Sequence, residues 1–472
     1  MFRSALLLVS GNAFGSLLSL VRNLVVARLI SVEDYGIAAT FAISMSIVEM
    51  MTSLGLQQLL IQDRDGDDPR LQSGLQGFHL LRSIFSASVL FLLAHPIASF
   101  LGIEDIAWAY QILALVPLIT GLMHFDLYRM QRRMVYLPSI LSTSVPNLIS
   151  VLAIWPLWTL YGDYRVMLYA VMLQSVLTVI MSHLVAKRPY RPTLYRDVIA
   201  KSIKFGWPLL VNNALLFLIF QGEKIIVGRV LGLEDLAIFA MGFTLTLTPA
   251  LVLASSSQSF FLPQLAARKD TRAQFDPLAM VTLQSHLFFG GLFVIAVMFF
   301  AEPVVYLLLS AKYASLVPLM VWMAILQGFR LFRGGGATIG LAMGRTGLAS
   351  LSNLPRLFSM PVAWYFALIT HDVFVVLWIA IAGEIIGFVV SLILMKRQLG
   401  ISLGTSAASF WLMMGVVLCV AVQAWLSNRA VDAPQLSLWT SIPIVIFFTL
   451  ALWHMKDLRR YVAARKSRHP LL

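Results

Sequence analysis

Seven ionisable side chains are embedded in strongly apolar sequence: Arg22, Glu49, Glu223, Lys224, Arg330, Arg333 and Glu384. A charge at the centre of a membrane helix costs about 2.5–3.5 kcal/mol on insertion scales, so each needs a partner, a cavity or a task. Amides accompany them at Asn12, Asn213, Gln57 and Gln258, with Asn212 and Gln221 alongside. Cations and amides can replace water around a phosphate or a sugar, and buried carboxylates can carry a proton or sodium ion or latch a gate. Gly334-Gly335-Gly336 follows Arg333, but no Gly-Lys-Ser/Thr comes after it, which excludes a Walker phosphate loop. His79, His95, His124, His183 and His286 show no metal-ligand spacing, so no metal or other cofactor is expected. The chemistry on offer is the handling of charge, not bond breaking, and the chain is not expected to be an enzyme.

The elements that hold these residues follow from composition. Of 472 residues 59% are hydrophobic and 12% charged, whereas about 25% charged is usual in soluble domains. The apolar excess falls into runs near the roughly 20 residues a helix needs to cross a bilayer. Fourteen are expected, near 4–30, 36–61, 79–100, 106–126, 138–160, 165–186, 205–230, 236–261, 281–301, 315–337, 347–369, 373–395, 405–426 and 437–455. The first is longer than a signal-peptide core and lacks a small-residue cleavage site, so it is read as an uncleaved span. Cys419, the lone cysteine, is expected to be a buried structural thiol. The fold class is an all-α polytopic membrane protein.

A net charge of +13 would suggest nucleic acid in a soluble chain. Here, on this span count, 28 of the 35 Lys and Arg gather on one side, in connections such as Lys187–Lys204, with Arg330, Arg333, Arg345 and Arg356 counted among them. That asymmetry is the mark of membrane orientation. It puts both termini in the cytoplasm, and no nucleic-acid partner is expected. Trp155, Trp158, Tyr161 and Tyr164 belong at the opposite interface.

RLISVEDYG (Arg28–Gly36) returns as RVLGLEDLA (Arg229–Ala237), 201 residues later. The same offset aligns Asn12 with Asn213, Val26 with Val227, Ile37 with Ile238 and Gln57 with Gln258. A duplicated six-span bundle follows: 1–190, then 191–400 led by a cytoplasmic amphipathic linker, then two extra spans and a basic tail over 401–472. Each Glu-Asp is expected to cap the helix after its turn.

VARLISVEDYGIAATFAISMSIVEMMTSLGLQQLLIQ resembles the opening of Wzx-type polysaccharide transporters, in the multidrug/oligosaccharidyl-lipid/polysaccharide flippase superfamily. DLYRMQRRMVYLPSI is similar to that family's basic segment after span four, and FGWPLLVNNALLFLIFQGEKIIVGRVLG to its seventh span. Glu223-Lys224 replaces the family's usual Asp-Arg or Asp-Lys, and LAIFA departs from its Gly-x-Tyr turn. The resemblance implies flipping of undecaprenyl-diphosphate-linked oligosaccharide across the bacterial inner membrane by alternating access, for exopolysaccharide, capsule or O-antigen assembly. It also implies a polysaccharide polymerase and export machinery as partners. The alternatives are a multidrug or cation antiporter, a peptidoglycan-precursor flippase, and, more distantly, a membrane polysaccharide polymerase.

Within that frame Arg22 aligns with Glu223 by the repeat, and the two with Lys224 are expected to form a gate or headgroup clamp, or else Arg22 snorkels outward. Glu49 and Glu384 are read as mid-span carboxylates, either hydrogen-bonded structure or proton or sodium coupling sites. Arg330 and Arg333 either line a phosphate-bearing cavity opened by the glycines or mark a helix end. Asn12, Asn213, Gln57 and Gln258 offer sugar contacts or helix–helix glue. The basic connection is expected to meet anionic lipids at about 1 kcal/mol per charge.

Overall fold

The computed structural model describes residues 2–345, 347–401, 404, 407–429 and 434–467, and among these the regular elements are all helices. The first ten are α1 (Phe2–Leu29), α2 (Val32–Thr52), α3 (Leu56–Gln62), α4 (Pro69–Leu101), α5 (Ala107–Leu113), α6 (Leu115–Thr120), α7 (Asp126–Arg132), α8 (Leu137–Tyr161), α9 (Arg165–Leu184) and α10 (Arg196–Val230). The others are α11 (Leu233–Ala266), α12 (Arg272–Leu308), α13 (Leu316–Ala342), α14 (Gly347–Thr370), α15 (Val373–Leu394), α16 (Ala407–Arg429), α17 (Pro434–His454) and α18 (Lys456–Ser467). Every expected span falls on one of these helices or a broken pair of them. Among the described residues nine helices are long and apolar enough to cross a membrane, and the bent pair α17–α18, with 62° between its halves, passes as one more span. The chain is a multi-pass membrane protein.

Two spans are broken where continuous helices were expected. The second divides into α2 and α3 at Ser53-Leu54-Gly55, where Gly55 takes φ +63°, a left-handed value that suits glycine. The fourth divides at Ala114 into α5 and α6; Pro117 lacks the N–H that would bond back across the break. The tenth shows the reverse. The glycine triplet was expected to weaken that helix and expose its amides, yet α13 runs through it unbroken. Gly334 and Gly335 pack on His286 of α12, and a Cβ on Gly336 would lie 2.6 Å from Ser391 Oγ of α15. These glycines allow close packing, and 78% of the most apolar stretch of α13 is buried.

Packing divides the chain into two compact units, Met1–Ala237 and Ile238–Leu472. This boundary lies one span later than the division suggested by the repeat, because α10 packs on α2, α3 and α4. The first unit has a core of Phe41, Leu90, Tyr110 and Leu168, and a second core near the basic connections built on Leu60, Leu75, Phe125 and Val198. In the second unit Phe275, Leu265, Ile339 and Leu348 join α11, α12, α13 and α14. Cys419 is half-buried in α16, short of the full burial expected.

The repeated turns meet each other in the first unit. A Cβ on Gly36 would come within 2.1 Å of the Leu233 carbonyl oxygen, so only glycine permits this approach. Capping differs from expectation: Ser31 caps α2, accepting from the Asp34 N–H at 3.0 Å, while Asp34 accepts from the Tyr164 N–H at 3.3 Å. A hydroxyl one residue before the helix reaches its orphan donors, whereas Glu33 and Asp34 already lie in the first turn.

Candidate functional site

Three guanidiniums converge on one carboxylate inside the second unit. Glu384 Oε1 of α15 accepts from Arg330 Nε at 2.8 Å and from Arg356 Nη1 at 2.7 Å; Oε2 faces Arg333 Nη2 across 3.3 Å. Arg330 and Arg333 lie three residues apart on α13 and so share a face; Arg356 comes from α14. At 1.5 Å per residue, Arg330 is about 18 Å from the basic end of its helix, Glu384 about 15 Å and Arg356 about 14 Å. All sit near half the roughly 30 Å thickness of hydrocarbon. Glu384 and Arg356 are fully buried, and Arg330 and Arg333 keep 11% and 12% exposure of their side chains.

Neighbouring groups fix the arginines further. Arg333 Nη1 donates to the Ser352 carbonyl at 2.9 Å and to Asn353 Oδ1. Arg330 Nη1 donates to Gln327 Oε1 at 3.1 Å, and its guanidinium lies 5.6 Å from the centroid of the Phe243 ring. Glycines on α15 make the convergence possible. A Cβ on Gly387 would lie 2.6 Å from the Ser352 carbonyl oxygen, and one on Gly383 2.7 Å from Ser359 Oγ. Three guanidiniums thus share one carboxylate at mid-depth.

This corrects the tally of basic residues: Arg330, Arg333 and Arg356 are not on the basic face. Arg356 was missed as a site residue, although its place in the middle of the run 347–369 was a usable signal. Glu384 is clamped by three cations, so its geometry suits holding the arginines in place, the hydrogen-bonded structural alternative, better than carrying an ion.

In the first unit the expected Arg22–Glu223 pair does not form. Arg22 Nη1 donates to Gln174 Oε1 of α9, while Glu223 is buried on α10 at 2% exposure. The repeat aligns positions, but side-chain partners follow packing: α1 and α9 both pack on α8, and α10 packs on α2 and α4. Lys224 lines a cavity of about 190 Å³ with Thr40, Ser44, Pro96, Phe100 and Leu236. Glu49 is exposed and lies in the last turn of α2, beside the break that divides its span into α2 and α3.

A polar group that sequence reasoning passed over adjoins Glu49. Arg82 acts on it electrostatically, and also donates to Thr52 Oγ1 at 3.2 Å and His79 Nδ1 at 3.1 Å. Gln57 and Asn213 are half-buried and Gln258 is exposed on α11. The Asn12 side chain lies outside the described residues. Gln221 Nε2 donates to Ser46 Oγ at 3.4 Å, the helix-glue role.

The basic segment over α7 is largely internal. Asp126, fully buried, accepts from Arg129 Nε at 2.5 Å and from the N–H of Lys187 at 2.8 Å. Burial pushes its carboxyl up, but Arg129 and the Lys187 N–H outweigh this and hold it below the usual aspartate range. Arg132 donates to the carbonyls of Ile61, Asp63 and Arg64 at the end of α3. Among the described residues no group of three or more His, Cys, Asp or Glu is arranged to hold a metal ion.

Residues 25–318 match the family model described as "Polysaccharide biosynthesis protein". The chain belongs to that family. An uncharacterized membrane protein in the cps region of Klebsiella pneumoniae is 22% identical to this family member over 382 residues, 79% of this chain and 76% of that one. The succinoglycan biosynthesis transport protein ExoT of Rhizobium meliloti (strain 1021) is 24% identical over 314 residues, 64% of this chain and 61% of that relative. Among solved structures, the lipid II flippase MurJ in an inward closed conformation superposes with a TM-score of 0.71 at 14% identity, covering 97% of this chain and all of MurJ. An inward-facing multidrug resistance MATE family transporter of the MOP superfamily gives 0.67 at 15% identity, covering 82% and 94% of the two chains. At those identities the likeness concerns the fold alone, and it gives this polysaccharide-family member the fold of a polytopic helical membrane protein.

Proposed function

We propose that this protein translocates undecaprenyl-diphosphate-linked oligosaccharide across the bacterial inner membrane, with both termini cytoplasmic, for assembly of a surface or secreted polysaccharide. The observation that carries the reading is the mid-depth cluster of Arg330, Arg333 and Arg356 on Glu384, in a chain of a polysaccharide biosynthesis family. Its guanidiniums suit a diphosphate, whose oxygens such groups bind in forked pairs. No bond need form or break: the headgroup exchanges water for arginine while its tail stays in lipid. The first unit carries its own cations at Arg22 and Lys224 and amides at Gln57 and Asn213, and the second carries an amide at Gln258, each a proposed contact for phosphate or sugar. In alternating access the substrate biases the motion only if it binds the two states with different free energies. Coupling to a proton or sodium ion is assigned in this reading to Glu49 and Glu223.

A multidrug or cation antiporter shares the fold, but three arginines gathered at mid-depth suit an anionic cargo better than a cationic one. A peptidoglycan-precursor flippase would carry the same diphosphate and is separated by its sugar. In cells deleted for the gene, the wild-type chain should restore polymer and clear accumulated lipid-linked oligosaccharide. Arg330→Gln/Arg333→Gln, inserted at normal levels, should leave export about tenfold or more below wild type, the effect of losing about 1.4 kcal/mol of headgroup interaction. Unchanged polymer and no accumulated lipid-linked sugar on deletion would contradict the reading.

A further inference from the structure

A second cationic cavity lies in the first unit, at the basic end of α4 and outside the apolar spans. It encloses about 300 Å³ and is lined by Arg70, Arg188 and Arg191, with Gln72, Gln76 and Tyr195. One wall is the start of α4; the other is the extended connection after α9. The walls are pinned together: the Thr193 N–H donates to the Ser73 carbonyl at 3.1 Å, and a Cβ on Gly77 would lie 2.2 Å from the Thr193 carbonyl oxygen. Asp126 anchors the near end of the connection through the N–H groups of Lys187 and Arg188.

The charges at this cavity are unequally matched. Arg70 Nη2 meets the Asp197 carboxylate at 3.2 Å, and its guanidinium lies 4.9 Å from the centroid of the Tyr195 ring. Arg188 donates to Gln72 Oε1 at 3.1 Å and to the Asp67 carbonyl at 2.8 Å, both neutral acceptors. Arg191 is exposed at the rim. The Asp67 carboxylate is engaged by Arg133 at 2.9 Å, and Asp68 accepts from the Arg70 N–H as the cap of α4. A donor completes the set: Gln76 is 1% exposed, and its Nε2 has no hydrogen-bond partner. A buried donor without an acceptor costs about 1–3 kcal/mol, which an anion in the cavity would recover.

We propose that this cavity is a second anion site, binding a phosphate or diphosphate ester through Arg188, Arg191 and Gln76. It goes beyond the translocation reading and does not depend on it. The ester has two sources with the same chemistry: the headgroup of a membrane lipid, or a free phosphate compound.

The test titrates the purified full-length chain in neutral detergent with inorganic diphosphate. A second arm measures retention of phosphatidylglycerol by native mass spectrometry, after reconstitution in phosphatidylcholine vesicles with and without that lipid. The variants are Arg191→Gln, at the rim, and Gln76→Leu, which removes a donor but no existing hydrogen bond of Nε2; thermal melting checks that both fold. Each should weaken diphosphate binding about tenfold, the equivalent of about 1.4 kcal/mol. If the wild type ignores diphosphate but retains phosphatidylglycerol, and the variants lose it, the site stands with a lipid as its source. Binding of neither probe by the wild type, or equal binding by wild type and variants, overturns the proposal. So does diphosphate binding lost in Arg330→Gln but kept in Arg191→Gln. A failure of polymer export in Arg330→Gln/Arg333→Gln leaves this titration unaffected, so the two readings fail separately.

Discussion

Glu384 divides two oxygens among three guanidiniums, and removing its charge would leave three buried cations facing one another. Breaking a buried ion pair from one side costs about 3–5 kcal/mol, because the remaining charge stays desolvated and unpaired. Glu384→Gln should therefore lower the thermal midpoint in detergent sharply. Adding Arg356→Met, which removes the most deeply buried of the arginines, should restore part of the loss. If Glu384→Gln melts with the wild type, the cluster does not hold the second unit together as the geometry implies. The arginines and Glu384 were legible one by one as charges in apolar sequence, but their convergence was not. It depends on α13, α14 and α15 meeting at one depth, and on Gly383 and Gly387 letting backbones close, which no spacing along the chain records. Arg22 and Glu223 show the converse: a sound alignment by the repeat, but no contact, because Arg22 reaches Gln174 instead.

At the scale of elements, the apolar runs located the helices because length and hydrophobicity alone decide what crosses a bilayer. The breaks were harder to see. Gly55 and Pro117 each interrupt a run that stays apolar on both sides, and the first interruption sets Glu49 in the last turn of a helix within its span. The Gly334–Gly336 triplet misled in the other direction, since close packing on α12 and α15 keeps α13 intact. The repeated turns matter through contact, not chemistry. Gly36→Ala would set a methyl against the Leu233 carbonyl and force the turns apart, so its melting midpoint should fall by several degrees, as about 1 kcal/mol does in domains of this size. Gly347→Ala, where a Cβ meets nothing within 4 Å, is the control and should melt as the wild type. Equal midpoints for the two would remove the close approach from the account.

For the whole molecule, composition, family and fold agree at the coarse level: a multi-pass helical protein of a polysaccharide biosynthesis family, built like MOP transporters. What the sequence leaves open is the cargo, because sugars are recognised by amides and hydroxyls that serve helix packing equally well. The central claim is that cations at mid-depth let a lipid-linked diphosphate cross. It is tested most directly in sealed vesicles that hold the purified chain and a lipid-linked oligosaccharide diphosphate with a labelled sugar, by following the fraction of label open to a membrane-impermeant reagent. The wild-type chain should bring inner-leaflet label into reach until nearly all reacts, while Arg330→Gln/Arg333→Gln should leave it at the level of protein-free vesicles. Equal exposure with the wild type and this variant, or none above protein-free vesicles with the wild type, would contradict the claim.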